Sequence, residues 1–233
     1  MLFAVGVMIR LGIWQLDRLS ARRADNTHIR AMQAAPSLDL NALDPSFDLE
    51  TMEYRAAAAR GTFIFDDQVA LRNQYWGIPD GPAEYGYHLL TPLLLEDGRT
   101  VLVDRGWIPG SYADPVSWHE FDGPGEVVVS GILRLSQAEA EMGSLSTGEI
   151  QSGQRLDFWV LPDLDGIARQ RSYELLPVYL QQASSEDKGD LPYRALPDLV
   201  LTDGSHLGFA LQWFFYAGLV FFGYPVFLRK RQR

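Results

Sequence analysis

Four histidines supply every imidazole in this 233-residue chain, and His206 is the one whose setting points to chemistry. Ser205-His206-Leu207 stands where a polar stretch hands over to an apolar run. On a helix His206, Ala210, Trp213 and Ala217 share one stripe, at spacings of four, three and four. An ionisable side chain at a membrane boundary, above a small residue and an indole, suits axial ligation of a haem iron in a cleft between helices. The same placement also suits an interfacial histidine hydrogen-bonded to a loop carbonyl, and spacing alone leaves both readings open.

The other histidines carry less. His88 lies inside an apolar strand-like run and reads as a packed side chain. His119 neighbours Asp114, Glu120 and Asp122 in a loop, a weak metal site or a solvated surface. His28 sits on a polar helix and receives no role. HExxH is absent, and Gly143 to Gly148 (Gly-Ser-Leu-Ser-Thr-Gly) fails the GxSxG pattern. With no nucleophile, base and oxyanion donors at recognisable spacing, a hydrolase is disfavoured. One further charged pair, Asp104-Arg105, ends the apolar run Val101-Leu102-Val103. It reads either as a buried ion pair closing a barrel end or as an exposed fork for a carboxylate such as a porphyrin propionate. Gly106 beside it permits a close backbone approach.

The elements that position these residues begin with the ends of the chain. Leu207 to Leu228 is 22 residues without a charge, holding one amide, Gln212, and is followed by Arg229-Lys230-Arg231-Gln232-Arg233. At roughly 1.5 Å per residue it spans roughly 33 Å, matching a ~30 Å hydrocarbon layer. The basic tail, residues 229–233, argues for a cytoplasmic C-terminus. Residues 1–17 are also apolar but shorter, with Arg10 inside, and lack the cleavage site of a signal peptide. They read as a retained transmembrane helix, short and open to extension before Met1. Two spans place both termini on one side; Arg18, Arg22, Arg23 and Arg30 then flank the outer end of the first helix, against the charge rule.

Between the spans, residues 18–53 read as a helix to about Gln33 and a linker bearing Pro36 and Pro45. Residues 54–204 read as an extramembrane domain. Strand-like runs cover Tyr54 to Phe65, Gln68 to Asn73, Tyr87 to Glu96, Thr100 to Ile108, Glu126 to Leu135 and Leu175 to Gln182. A short helix is expected over Leu161 to Gln170 and a loop over Ala183 to Leu196. Asp97-Gly98 between two apolar runs predicts an antiparallel hairpin. The expected whole is an α+β membrane protein: a mainly antiparallel β barrel or sandwich with a transmembrane helix at each end, the second covering 205–228.

Charge and cysteine content exclude several classes. The net charge is −10, yet residues 31–228 hold 11 basic against 28 acidic side chains, a surface that repels polyphosphate, so nucleic acid is not an expected partner. The absence of cysteine removes disulfides, thiolate metal sites and a cysteine nucleophile.

The order of short motifs resembles the surfeit-locus-one family of cytochrome c oxidase assembly factors. Leu11-Gly12-Ile13-Trp14-Gln15-Leu16-Asp17-Arg18 is similar to that family's Leu-Gly-x-Trp-Gln-x-x-Arg. Val103-Asp104-Arg105-Gly106-Trp107-Ile108-Pro109 resembles its Val-Asn-Arg-Gly-Trp-x-Pro, with aspartate for asparagine. Tyr54, Gly61, Phe63, Gly86-Tyr87, Thr91-Pro92-Leu93, Gly131 to Arg134 and Leu191-Pro192 fit in order. His206-Leu207-Gly208-Phe209-Ala210-Leu211-Gln212-Trp213-Phe214 resembles its His-Leu-x-Tyr-Ala-x-x-Trp-Phe, with Phe209 for the usual tyrosine and Ser205 for the usual asparagine.

The resemblance implies a non-enzymatic protein of a bacterial inner membrane, passing twice, with the central domain on the periplasmic side. It implies help with inserting haem a into subunit I of cytochrome c oxidase, haem a being a transient cargo. His206 is then the iron ligand, Trp14 and Trp213 (with Phe214) are walls, and Arg18 or Arg105 contacts a propionate. Subunit I, membrane lipid and haem a synthase are the implied partners. The rival expectation is a membrane-anchored scaffold that steadies subunit I without touching haem.

Overall fold

Alternating apolar residues along short segments separated by turns dictate strands whose one face must be buried. The computed structural model describes every residue except 45, 78–81, 138–154, 185–189, 197–198 and 232–233, so Pro45, Pro79, the Gly143 to Gly148 run and the last two tail residues lie outside the described residues. The chain divides into two units, Met32–Pro197 and Met1–Ala31 with Asp198–Arg233.

The larger unit contains β1 (Leu38–Asp39), β2 (Ala56–Phe63), β3 (Val69–Trp76), β4 (Glu84–Leu95), β5 (Thr100–Pro109), β6 (Glu126–Leu135), β7 (Phe158–Trp159) and β8 (Leu175–Gln182). The strand order is β1-β2-β6-β8-β5-β4-β3-β7, and β2 also pairs with β4. That extra pairing closes β2, β6, β8, β5 and β4 into a barrel. Of the eight pairings, β1–β2, β3–β7 and β5–β8 are parallel and the remainder antiparallel. The expectation of a mainly antiparallel barrel is met.

Closure depends on β4, which is 12 residues long and serves two neighbours in turn. Its first part pairs with β3 from Glu84 to Leu90, and its last part pairs with β2, where Gly61 faces Leu95. The Asp97-Gly98 hairpin forms as expected: Leu95 donates to the Arg99 carbonyl at 2.8 Å, and Gly98 takes φ +87°, which only glycine adopts readily.

Inward-facing Ala57, Ala59, Leu93, Leu95, Val101, Val103, Val129, Leu133, Val178 and Leu180 fill the barrel. The segment between Ala34 and Glu53 carries more structure than its prolines predict. Leu38, Leu40 and Leu49 enter the same core, and Arg99 donates to the Leu40 and Leu43 carbonyls. Outside the barrel, α2 (Leu164–Ala168) packs Leu164 and Ile167 on Leu102, Tyr179 and Trp159. Asp163 caps this short helix by accepting from Gly166 N at 2.9 Å. A 3-10 turn over Pro115–Phe121 lays Trp118 on Ala70, Leu89 and Ile108.

The smaller unit holds most of α1 (Leu2–Ala34) and all of α3 (His206–Arg231). The buried residues of α1 are Val5, Gly12, Leu19 and Asn26, spaced by seven, and those of α3 include Ala210 and Ala217, also seven apart. A seven-residue repeat keeps a straight seam only if two helices wind gently about each other. They run antiparallel: Gly12 meets Phe214, Gln15 meets His206 and Asn26 meets Thr202.

Among the described residues α3 is the one helix long and apolar enough to cross a membrane, over His206–Pro225. The uncharged stretches of α1 are shorter, because Arg10 interrupts its apolar part and Asp17 ends it. Leu207, Leu211, Phe215, Leu219, Phe222 and Phe227 are all exposed on α3, an apolar exterior that water disfavours and lipid accepts.

Candidate functional site

His206 opens α3, and its ring is half-buried against α1. Its Nδ1 lies 2.9 Å from Gln15 Oε1. The predicted stripe of His206, Ala210, Trp213 and Ala217 does face inward: Ala210 is fully buried and Ala217 nearly so. Small side chains there let the helix axes approach, as helix pairs in lipid require. Immediately before the helix, Gly204 takes φ +67°, and a Cβ built on it would stand 3.7 Å from His206 Nε2. Gly204 therefore borders the Cδ2–Nε2 edge of the ring, and its positive φ is what favours glycine there.

Trp14 is 45% exposed, one position away from the seam, and the Arg18 guanidinium sits over its ring at 5.7 Å. The side chain that meets His206 is Gln15, not Trp14. Trp213 is half-buried, its ring 6.4 Å from that of Tyr216 in an edge-on contact. Gln15 is the partner of His206 that the sequence reading missed.

The arginines that conflicted with the charge rule are occupied. Arg22 and Arg30 donate to the carbonyls of Thr202 and Leu201, Asn26 donates to Thr202 O at 3.1 Å, and Arg23 pairs with Asp203 at 2.8 Å. These contacts satisfy carbonyls of an extended segment that no helix or sheet would otherwise serve.

In the larger unit Asp104 and Arg105 do not pair with each other. Adjacent residues of a strand point to opposite faces, so Asp104 turns to His88 and Arg105 turns away. Both are buried, 5% and 6% exposed. Asp104 takes His88 Nδ1 at 2.9 Å and accepts from Gly106 N at 3.0 Å. Burial penalises a charged His88, but the charge and hydrogen bond of Asp104 outweigh it and raise the imidazole pKa above its ordinary value. His88 is thus a packed side chain, as expected, with a carboxylate partner that strand order brings within reach.

Arg105 donates to Gln68 Oε1 at 3.2 Å and to the Phe121 carbonyl, and its guanidinium lies 5.2 Å and 5.1 Å from the Phe63 and Phe65 ring centres. Gln68 in turn donates to Asp122 at 3.3 Å and accepts from Thr91. Burial, with Arg194 nearby, lowers the Arg105 pKa to about 10, which Asp122 partly offsets. Among the described residues this cation has no carboxylate within ion-pair distance, and its exposed-fork reading meets a buried side chain. His119 bonds Asp122 at 2.9 Å, and no cluster of three metal-ligating residues occurs among the described residues.

The chain thus combines a closed β-barrel unit with a unit of two antiparallel helices, the more apolar of which opens on a histidine. The chain belongs to the SURF1 family, whose pattern it matches over residues 2–218 and whose members are known as oxidase assembly factors. It is 27% identical over 234 residues to a SURF1-like protein of Monosiga brevicollis, covering 97% of this chain and 84% of that one. It is 23% identical to Surfeit locus protein 1 of Rattus norvegicus, covering 92% and 70%. Against a SURF1-like protein of Caenorhabditis briggsae the identity is 23%, and the match spans 88% of this chain and 66% of the relative's length.

Proposed function

We propose that this protein assists the insertion of haem a into subunit I of cytochrome c oxidase, holding the haem in transit through His206. The observation that carries the reading is the seat of His206. It heads the one helix among the described residues that is apolar enough for lipid, one ring nitrogen is engaged by the neighbouring helix, and the other lies beside a glycine. The residues suit the group: haem a needs apolar walls, one nitrogen ligand and a cation near its propionates. Trp213, Trp14 and the exposed apolar side chains of α1 and α3 offer walls, and Arg18 over Trp14 offers the cation. Arg105 is the weaker propionate candidate because its guanidinium is already engaged inside the barrel unit.

In this reading α1 and α3 cross a bacterial inner membrane as a hairpin, with both termini cytoplasmic and the barrel on the periplasmic side. Subunit I is the acceptor and haem a synthase a donor. A single histidine favours delivery, since cargo moves only toward a site that holds it more tightly. Expression in cells that make haem a provides the test. A Soret band that co-purifies with the protein and disappears in His206→Ala supports carriage. A colourless protein that still restores oxidase assembly would replace carriage with the scaffold reading.

A further inference from the structure

We infer that Gln15 sets the tautomer of His206, fixing the proton on Nδ1 and leaving the Nε2 lone pair free to bind a metal. The inference deepens the haem-carrier reading and takes its purpose from it, but the tautomer is a property of the haem-free protein.

A neutral imidazole has one N–H and one lone pair, and a partner at either nitrogen decides which is which. Gln15 presents its carbonyl oxygen, Oε1, to Nδ1 at 2.9 Å. An amide oxygen only accepts, so in the neutral ring Nδ1 donates and Nε2 carries the lone pair. Free histidine in water favours the opposite arrangement, with the proton on Nε2. Gln15 therefore inverts the intrinsic preference of this ring. The Nε2 side is the one beside Gly204, whose positive φ favours glycine. Ligating histidines commonly donate their second N–H in this manner, which fixes ring orientation and strengthens the ligand.

The choice of an amide also has a consequence. A carboxylate at position 15 would pull the Nδ1 proton harder and make Nε2 a stronger, less releasable ligand. A neutral amide orients the ring with a smaller push, as suits a carrier. The bond joins α1 to α3, so it exists only while the helices are packed. Separation of the pair would free the ring to revert, weakening its hold on the metal.

The test is nitrogen-15 NMR of the histidine side chains in the full-length, haem-free protein in micelles, with the His206 signal identified by its loss in His206→Ala. In the wild type Nδ1 should carry the proton. Gln15→Leu should move it to Nε2, and Gln15→Glu should keep it on Nδ1, which guards against a trivial unfolding effect of the leucine. In haem-loaded protein Gln15→Leu should weaken retention about 10- to 100-fold, and Gln15→Glu should lower the haem reduction potential. A proton on Nε2 in the wild type, or no change in folded Gln15→Leu, overturns the inference. A correct tautomer in a protein that never binds haem would overturn the carrier reading and leave the tautomer assignment standing.

Discussion

Gly12 of α1 lies directly beneath the ring of Phe214 of α3: a Cβ on Gly12 would fall 2.6 to 2.9 Å from three ring carbons. The glycine is a socket for the aromatic ring, one turn from the contact between Gln15 and His206. Spacing at this point sets whether the amide reaches the imidazole.

Gly12→Val should therefore drive the helices apart. Overpacking of this kind costs about 1–3 kcal/mol, seen as a lower thermal midpoint in detergent. Phe214→Ala in the same chain should recover much of the loss, since it empties the space the valine needs. Additive rather than compensating effects of the two substitutions would show that the residues do not share one contact.

A second glycine governs the barrel. Gly61 on β2 faces the end of β4, and a Cβ there would strike the Leu94 carbonyl, a backbone atom that cannot rotate away. Gly61→Ala should break the pairing that closes the barrel. The expected loss is about 3 kcal/mol or more, read by urea denaturation. Leu94→Ala should not rescue it, because the collision is with main chain.

Much of this architecture was legible from the residues. The runs Tyr87 to Glu96 and Thr100 to Ile108 are short apolar stretches on either side of Asp-Gly, and β4 and β5 form there. The apolar run after His206 is uninterrupted, and α3 follows it. What was not legible is non-local. The parallel pairing of β5 with β8 joins strands far apart in sequence, and the return of β4 to β2 follows from sheet twist and not from any local signal. Leu38, Leu40 and Leu49 sit among turn-forming residues, so their burial in the barrel shows only once the strands are assembled. At the candidate site His206 was visible by type and place, and Gln15 was missed. A signal existed: Gln15 is the only amide in the apolar part of α1, and a lone amide on one such helix suits a lone imidazole on another.

The pair His88–Asp104 gives a pH dependence with a definite sign. The folded pKa of His88 is raised, so its contribution is fully present below the ordinary value of ~6.5 and fades as pH climbs through the raised one. Plotting the denaturation midpoint against pH should show stability declining above neutrality. In Asp104→Asn the slope should flatten, with a loss of about 1–3 kcal/mol at pH 6 and a smaller loss at pH 9. Equal losses at both pH values would mean that His88 is not charged in the folded protein.

Arg18 and Arg105 are separable by the kind of damage their loss does. Arg105 is buried, braced by Phe63, Phe65, Gln68 and the Phe121 carbonyl. Lysine lacks both the flat face that stacks on the rings and the fork that reaches two acceptors. Arg105→Lys should destabilise the protein by about 1–3 kcal/mol while leaving haem content per folded molecule unchanged. Arg18 stands over the exposed Trp14 ring, a contact worth about 0.5–1 kcal/mol at most in such a setting, so Arg18→Ala should leave the unfolding midpoint nearly unmoved. If Arg18 meets a propionate, the same substitution should lower co-purified haem several-fold. The ratio of Soret to protein absorbance, taken with the unfolding midpoint for both variants, reads the two effects independently. The assignment fails if Arg105→Lys depletes haem without loss of stability and Arg18→Ala does neither.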